Sequence, residues 1–574
     1  MAEFDPITRE IIQNGLAAAG DEMAVALYRT AYSTVVRDCL DYSTSLCDAN
    51  GKMIAQGVTI PLHIGTVPFA METLFKKYGD DIQPGDVFIM NDPFDGGMHI
   101  PDIYVVKPIF WEDQRVAFAV STAHHLDLGG RLPGSSACDN TEIFQDGLRI
   151  PWLKLYHRGE PDEAIFTLIR ANCRVPHMTI GDLRAQLSAC HIGERSIHDL
   201  IKRYGPETFA ACATDLLDYT ERLVRAEIAS WPNKSYSFTD YLDSDGVGGP
   251  RVRLHVTITI DGDELIIDFT GTAPQVTGAI NNTLSFTASV AALCVRCVLR
   301  EDLPNTEGLF KPLTIIAPAG TIANANMPAA SSMRGITGFR LVDTVFGALA
   351  GLLPDRVMAA GEGGNSIVII SGEKEDRKRY VFFELISGTW GARPDRDAND
   401  GLCNPANVAS NIPVEQVETE YPLRIERYGF VRDSGGVGQY RGGLAIERQW
   451  RLLEGNAHLG IRSGRRDHPP YGLYGGGPGA SSITRRFDEQ NEEVLPTMIS
   501  TSMQGGQTLY HQQPGGGGWG DPLDRSPRAV ADDVKNDRVS FQAAREQYYV
   551  VLDEATLAVN EAATANLRKE LGAT

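Results

Sequence analysis

The sequence predicts an α+β protein of several domains, with mixed β-sheets and peripheral helices rather than one doubly wound sheet. Three observations carry that expectation. At 574 residues the chain can bury more than one core. Its β-like runs are joined by short polar turns, as in hairpins, rather than by the helical crossovers of a parallel sheet. Its helical periodicity is gathered in blocks, at Ile7–Tyr32, at Glu163–Ala229 and in the tail from Ala529 to Leu571. The resulting division is an α+β unit over 1–160, a helical segment over 161–232, an α+β unit over 233–420, a β-rich, glycine-rich unit over 421–525 and a helical tail over 526–574.

In chain order, Asp5 before Pro6 reads as an N-cap with proline at the first helical position, opening the helix through Tyr32. Residues 36–56 read as strand, turn and strand, with Asp48 a turn former before Ala49-Asn50-Gly51. Residues 60–65 look β-like and precede a helix over Thr66–Tyr78. His63 lies there and reads as a core histidine ahead of a pocket residue. Val87–Met90 is a buried strand. It runs into a Gly/Pro-rich loop that carries Asp92, Asp95, His99 and Asp102. Ile103–Phe110 and Val116–Ser121 form a hairpin around Glu112-Asp113-Gln114, which returns the chain to His124, His125 and Asp127.

That hairpin organises the chemistry. His99 and Asp102 at its start can meet His124 at its end. Two imidazoles and a carboxylate on loop and strand-end positions suit a divalent metal ion, against the blander reading of hydrogen-bonded histidines in a polar turn. Asp41 could add a fourth, carboxylate ligand or could be a solvent-facing acid. Residues 129–139 read as an ordered loop or lid, and Cys138 within it as a structural cysteine. Residues 142–155 look strand-like. Arg170, Asn172, Arg174 and His177 fall in an expected loop ending at Gly181-Asp182, where the arginines could hold an anion or pair with Asp182.

Further on, Val252–Ile260 and Leu265–Phe269 alternate as strands, and Thr283–Val298 and Phe339–Leu353 read as helices. Cys294 and Cys297 make too short a signature for a metal, Gly361–Asn365 is a tight loop, and strands dominate from Glu420 to Gly464. The glycine strings at 472–479 and 514–522 lack the Lys-Ser or Lys-Thr and the helix start of a phosphate-binding loop, so no nucleotide site is expected.

Bulk properties narrow the partners. A formal charge of −21 argues against nucleic acid and anionic membranes. No run is expected to approach the ~18 apolar residues of a membrane span. The N-terminus lacks the basic start and apolar centre of a signal peptide. Nine scattered cysteines suit a reducing, cytoplasmic location.

Taken together, Asn91–Asp102, His124–Gly130, Gly181–Gln186, Gly388–Arg393, Asp433–Gly438, Tyr440–Leu444 and Pro514–Pro522 resemble the hydantoinase B/5-oxoprolinase family. The resemblance implies a hydantoinase B-like fold and a B-type subunit. It also implies an obligate A-type partner that binds ATP and phosphorylates the substrate, in an α2β2 heterotetramer. On this chain it maps metal ligands onto His99, Asp102 and His124, with Asp41 as an addition, for Zn2+, Mn2+ or Fe2+. The implied activity is ATP-dependent opening of a small cyclic amide: a caprolactam-like lactam, a hydantoin or 5-oxoproline. His125, Asp127 or Glu142 is the expected proton acceptor. A ketone carboxylase subunit of the acetone or acetophenone type, and a non-catalytic scaffold, are the alternatives.

Overall fold

The computed structural model describes residues 5–299, 303–363, 366–386 and 388–572. Positions 364 and 365 of the tight loop expected at 361–365 lie outside them. Four sheets carry the fold. The first holds β1 (Tyr42–Asp48), β2 (Met53–Gln56), β3 (Val87–Met90), β4 (Asp102–Trp111), β5 (Gln114–His124), β6 (Leu153–His157) and β7 (Glu160–Pro161). Its order is β2-β1-β5-β4-β3-β6-β7, antiparallel throughout. The second sheet is mixed: Glu264–Asp268 pairs antiparallel with Val252–Asp261 and parallel with Leu313–Ile316. The third joins Arg379–Leu385, Ile367–Glu373, Asn456–Arg462 and Met498–Gln504. A five-stranded antiparallel sheet follows, built on Leu423–Phe430 and Ile446–Leu452.

The β4–β5 hairpin is buried on both faces, which is why its apolar run does not alternate. Ile103 and Val105 pack under the long helices Pro6–Thr30 and Pro176–Tyr204. Tyr104 and Val106 face the opposite core, which includes the helices Leu284–Val298 and Gly335–Leu352. Those two helices are central rather than peripheral, because they are apolar around nearly their whole circumference. Gly335–Leu352 is in fact long and apolar enough to cross a membrane, contrary to the reading that no run approaches that length, but 94% of it is buried inside the protein.

Other local expectations change in the same way. Asp5 does cap the first helix, accepting from the backbone N–H of Ile7 and Thr8. Residues Pro61–Thr66 form a 3-10 turn instead of a strand, started by Pro61. Most of 142–155 is turn and loop, with a strand only from Leu153. Arg170 and Asn172 belong to the helix Glu163–Asn172, and the next helix starts at Pro176, so Gly181-Asp182 lies inside it. Asp182 is not an arginine partner there; one of its oxygens accepts from the backbone N–H of Tyr32 and Ser33.

The glycine strings make backbone-on-backbone packing. Gly516 accepts from the N–H of Gly436 and donates to the carbonyl of Gly443, while Gly518 donates to the carbonyl of Gly477. A Cβ on Gly436 would fall 2.5 Å from the nitrogen of Gly518, so only glycine permits this approach.

Candidate metal centre

Each donor is placed by a local feature of the backbone. In the hairpin register Asp102 stands directly opposite His124. His99 sits three residues ahead, where the backbone N–H of Asp102 donates to the His99 carbonyl. The loop leading there is held by Asn91, whose Nδ2 donates to the carbonyls of Ile100 (2.7 Å) and Leu148 (2.9 Å) and whose Oδ1 accepts from Ile150 (2.6 Å). It turns at Gly96, with φ of 95° and the Phe69 carbonyl 2.7 Å from where a Cβ would stand. Asp41 immediately precedes β1, and its carbonyl accepts from the backbone N–H of His124.

These side chains meet. His99 Nδ1 is 2.7 Å from Asp102 Oδ2 and His124 Nδ1 is 3.3 Å from Asp102 Oδ1. Asp41 Oδ2 lies 3.8 Å from His124 Nδ1. One ligand atom each from His99, Asp102 and His124 falls within 4.8 Å of the others, the one such group of three among the described residues. All three are buried, at 2%, 1% and 4% exposure. They line a small cavity of about 40 Å³ with Asp41, His63, Arg334 and Arg462, bounded on its apolar side by residues that include Phe286 and Phe383.

Electrostatics prepare the donors. Burial, reinforced by the Arg334 guanidinium, pushes His99 well below the ordinary imidazole range, so it is neutral and its lone pair is available. Against its burial, neighbouring His99 and Arg334 hold the Asp102 carboxyl well below the usual range, so it is ionised. Burial lifts Asp41 to about 6. Three buried atoms in the group, His99 Nδ1, His124 Nε2 and Asp102 Oδ1, lack a partner in hydrogen-bonding geometry. Buried polar atoms normally find one. A neutral His99 imidazole, an ionised carboxylate and orphaned donor atoms fit a divalent cation.

The three expected proton acceptors are not at this cavity. His125 follows His124 on the strand path and so points to the opposite face, where its Nε2 meets Gln186 Oε1 at 2.9 Å. Asp127 organises the following loop, accepting from the backbone of Gly129, Gly134 and Arg174 and pairing with the Arg174 guanidinium at 3.0 Å. Glu142 is exposed at the start of the short turn Ile143–Gln145. Burial pushes the Cys138 thiol up to about 11, in keeping with an inert cysteine.

The residues that sequence reasoning ranked low or missed are His63, Arg334 and Arg462. Ser43 Oγ donates to the Ile60 carbonyl at 3.2 Å and so accepts from His63 Nδ1 at 2.6 Å. That tautomer leaves the His63 Nε2 lone pair facing the cavity, 4.0 Å from Asp41 Oδ1. Burial lowers His63 to about 4, so it is neutral at pH 7. Arg334 Nη2 donates to Asp102 Oδ2 at 2.7 Å.

The comparison with known families decides the lineage: the hydantoinase B/oxoprolinase family matches residues 5–522. The chain belongs to that family. It is 33% identical over 571 residues to the caprolactamase subunit beta of Pseudomonas jessenii, covering 96% of this chain and 97% of that one. The crystal structure of the ATP-dependent caprolactamase of that organism superposes with a TM-score of 0.91 at 31% identity, covering 99% and 100% of the two chains. A nucleotide-free acetone carboxylase structure shares the fold, with a TM-score of 0.91 at 20% identity over 99% of this chain and 83% of that one. The α+β architecture expected from the sequence is therefore that of caprolactamase.

Proposed function

We propose that this chain is the metal-binding B subunit of an ATP-dependent cyclic-amide hydrolase. In this reading an A-type subunit binds ATP and phosphorylates the carbonyl oxygen of a lactam, hydantoin or 5-oxoproline, and the ring opens here. The observation that carries the reading is the buried His99–Asp102–His124 group with its orphaned donor atoms. Likeness to caprolactamase over nearly the whole chain supports the substrate class. An α2β2 assembly in the cytoplasm goes with it.

His99, Asp102 and His124, with Asp41, would hold Zn2+, Mn2+ or Fe2+. Such an ion supplies Lewis-acid chemistry at neutral pH. The chain's own residues do the rest. Arg334 fixes the Asp102 carboxylate. Phe286, Phe339, Ile367 and Phe383 present apolar wall to a ring and exclude bulk water. His63 Nε2 accepts the proton given up by the attacking water, and Ser43 holds the ring in the required tautomer.

Activation elsewhere makes chemical sense. An amide nitrogen donates into its carbonyl and resists attack; a phosphoryl group on the oxygen removes that donation. Water then adds at the ring carbon, the C–N bond breaks with a proton delivered to nitrogen, and the carboxyl phosphate so formed is cleaved by a second water to the free carboxylate and inorganic phosphate. The likeness to acetone carboxylase is one of fold alone and does not favour carboxylation.

The test uses the complex with its A-type partner. Wild type should contain a divalent metal and open lactam or hydantoin rings, with no ATP turnover on ketone plus bicarbonate. His99→Ala should lose the metal and ring opening while substrate-stimulated ATP turnover partly survives. Ring opening undiminished in a metal-free His99→Ala complex would leave the chain a scaffold.

A further inference from the structure

The cavity carries two cations that the hydrolysis scheme does not use as such. Arg462 ends the strand Asn456–Arg462 in the third sheet, and Arg334 precedes the helix Gly335–Leu352. Both line the same cavity as the donor group, and both are buried, at 3% and 7% exposure. Arg334 lies over the Phe286 ring, 4.3 Å from its centroid, with one nitrogen on Asp102 and its Nε without a partner. Arg462 Nη1 reaches the sulfur of Met333, the residue next to Arg334, at 3.5 Å. Burial, with Arg334 adding to it, lowers Arg462 only to about 9, so it remains a cation at neutral pH.

The charge count then points to a ligand. Around the cavity the guanidiniums of Arg334 and Arg462 face the carboxylates of Asp41 and Asp102, and Glu362, which is not part of the lining, also acts on Arg462. A divalent ion in the donor group adds two positive charges to a site of low polarity, where uncompensated charge is costly. A neutral lactam or hydantoin brings nothing to offset them. A phosphoryl group brings about two negative charges and oxygens that match the fork of a guanidinium.

We infer that Arg462 and Arg334 form a phosphoryl-binding subsite beside the His99–Asp102–His124 group, holding the phosphoryl group of the activated cyclic amide. This rests on the function proposed above and adds the groups that recognise the activated substrate over the unactivated ring. Arg462 is not itself one of the donor residues, so it can be changed without removing a ligand.

The experiment titrates inorganic phosphate calorimetrically into the metal-loaded complex of wild type, Arg462→Met and Arg462→Lys, with metal content measured on each. The same complexes are assayed for rings opened per ATP consumed. Arg462→Met should keep its metal, bind phosphate about 10- to 100-fold more weakly, as expected for loss of charge-assisted hydrogen bonds, and open fewer rings per ATP. Arg462→Lys should fall between, since it keeps the charge but not the fork. If Arg462→Met does not fold, a several-fold loss of phosphate affinity in Arg462→Lys decides in favour. Phosphate affinity within about twofold of wild type in a folded, metal-loaded variant overturns the subsite. So does weakened phosphate binding with unchanged rings per ATP, which would mark a site for free phosphate only. A wild-type complex that opens rings with its metal in place, yet shows either result, loses this inference alone; a wild-type complex without metal loses the function itself.

Discussion

The Asp102–Arg334 pair should be worth more as a pair than as the sum of its members. Asp102 Oδ2 and Arg334 Nη2 are 2.7 Å apart and almost wholly buried. At an effective dielectric constant of about 20 their gross attraction is about 6 kcal/mol, offset in large part by desolvation of both charges. Breaking such a pair from one side leaves a buried charge uncompensated and costs about 3–5 kcal/mol, whereas removing both charges together costs less than the two single changes added. In the metal-free chain, Asp102→Asn should therefore cost about 4 kcal/mol. Arg334→Met should cost about 3 kcal/mol, because His99 remains 2.7 Å from the orphaned carboxylate. The double variant should cost about 4 kcal/mol instead of about 7, a coupling of about 3 kcal/mol. Urea titration followed by tryptophan fluorescence reads the cycle. Additivity within about 0.5 kcal/mol would show that the two charges do not depend on one another, and the account of how Asp102 is kept ionised would fall with it.

Two further outcomes separate structural acids and imidazoles from the centre itself. His125→Ala should lower stability by about 1–3 kcal/mol by orphaning Gln186 Oε1, yet leave metal content as in wild type; loss of metal would return His125 to the site. Asp146 is buried, and burial raises its pKa from 3.8 to about 6 although it accepts from Asn140 and the backbone of Ser331. Between pH 4 and 6 the native chain thus binds more protons at this group than the unfolded one. This group's contribution to stability should fall as pH rises through that window, by on the order of 3 kcal/mol, and denaturation midpoints of Asp146→Asn should lack that component.

What was legible in the sequence is what local spacing encodes. The β4–β5 hairpin could be read because two apolar runs flank a polar turn, and its closure alone brings Asp102 opposite His124. The Asp5 cap and the Asp48 turn were equally visible, since each acts within a few residues of itself. His125 and His124 could not be told apart by residue type; only strand parity sends one to the cavity and the other to Gln186. His63 looked like a core histidine, and it is buried; what the local pattern did not carry was the Ser43 contact that turns its Nε2 to the cavity. Arg334 and Arg462 come from positions 232 and 360 residues beyond Asp102 (334 − 102 and 462 − 102). No periodicity announces such a contact. The one available signal was a charged residue closing the strand Asn456–Arg462, whose five preceding buried or half-buried positions, Ala457 to Ile461, run into the core.

That long-range assembly bears on why the centre is buried at all. The donor group comes from one hairpin and would exist in a much smaller protein. The third sheet and the helix Gly335–Leu352 add the guanidiniums, the aromatic wall and the exclusion of water. A carboxylate shared by two imidazoles and a guanidinium is poorly placed in bulk solvent, where each pairing is worth little, and well placed in a closed cavity, where each is strengthened and each omission is costly. A substrate that arrives already carrying a phosphoryl group gains most from such a cavity, because water would destroy it outside. The number of chain segments converging on so small a space is then explained by what must be kept out as much as by what must be bound.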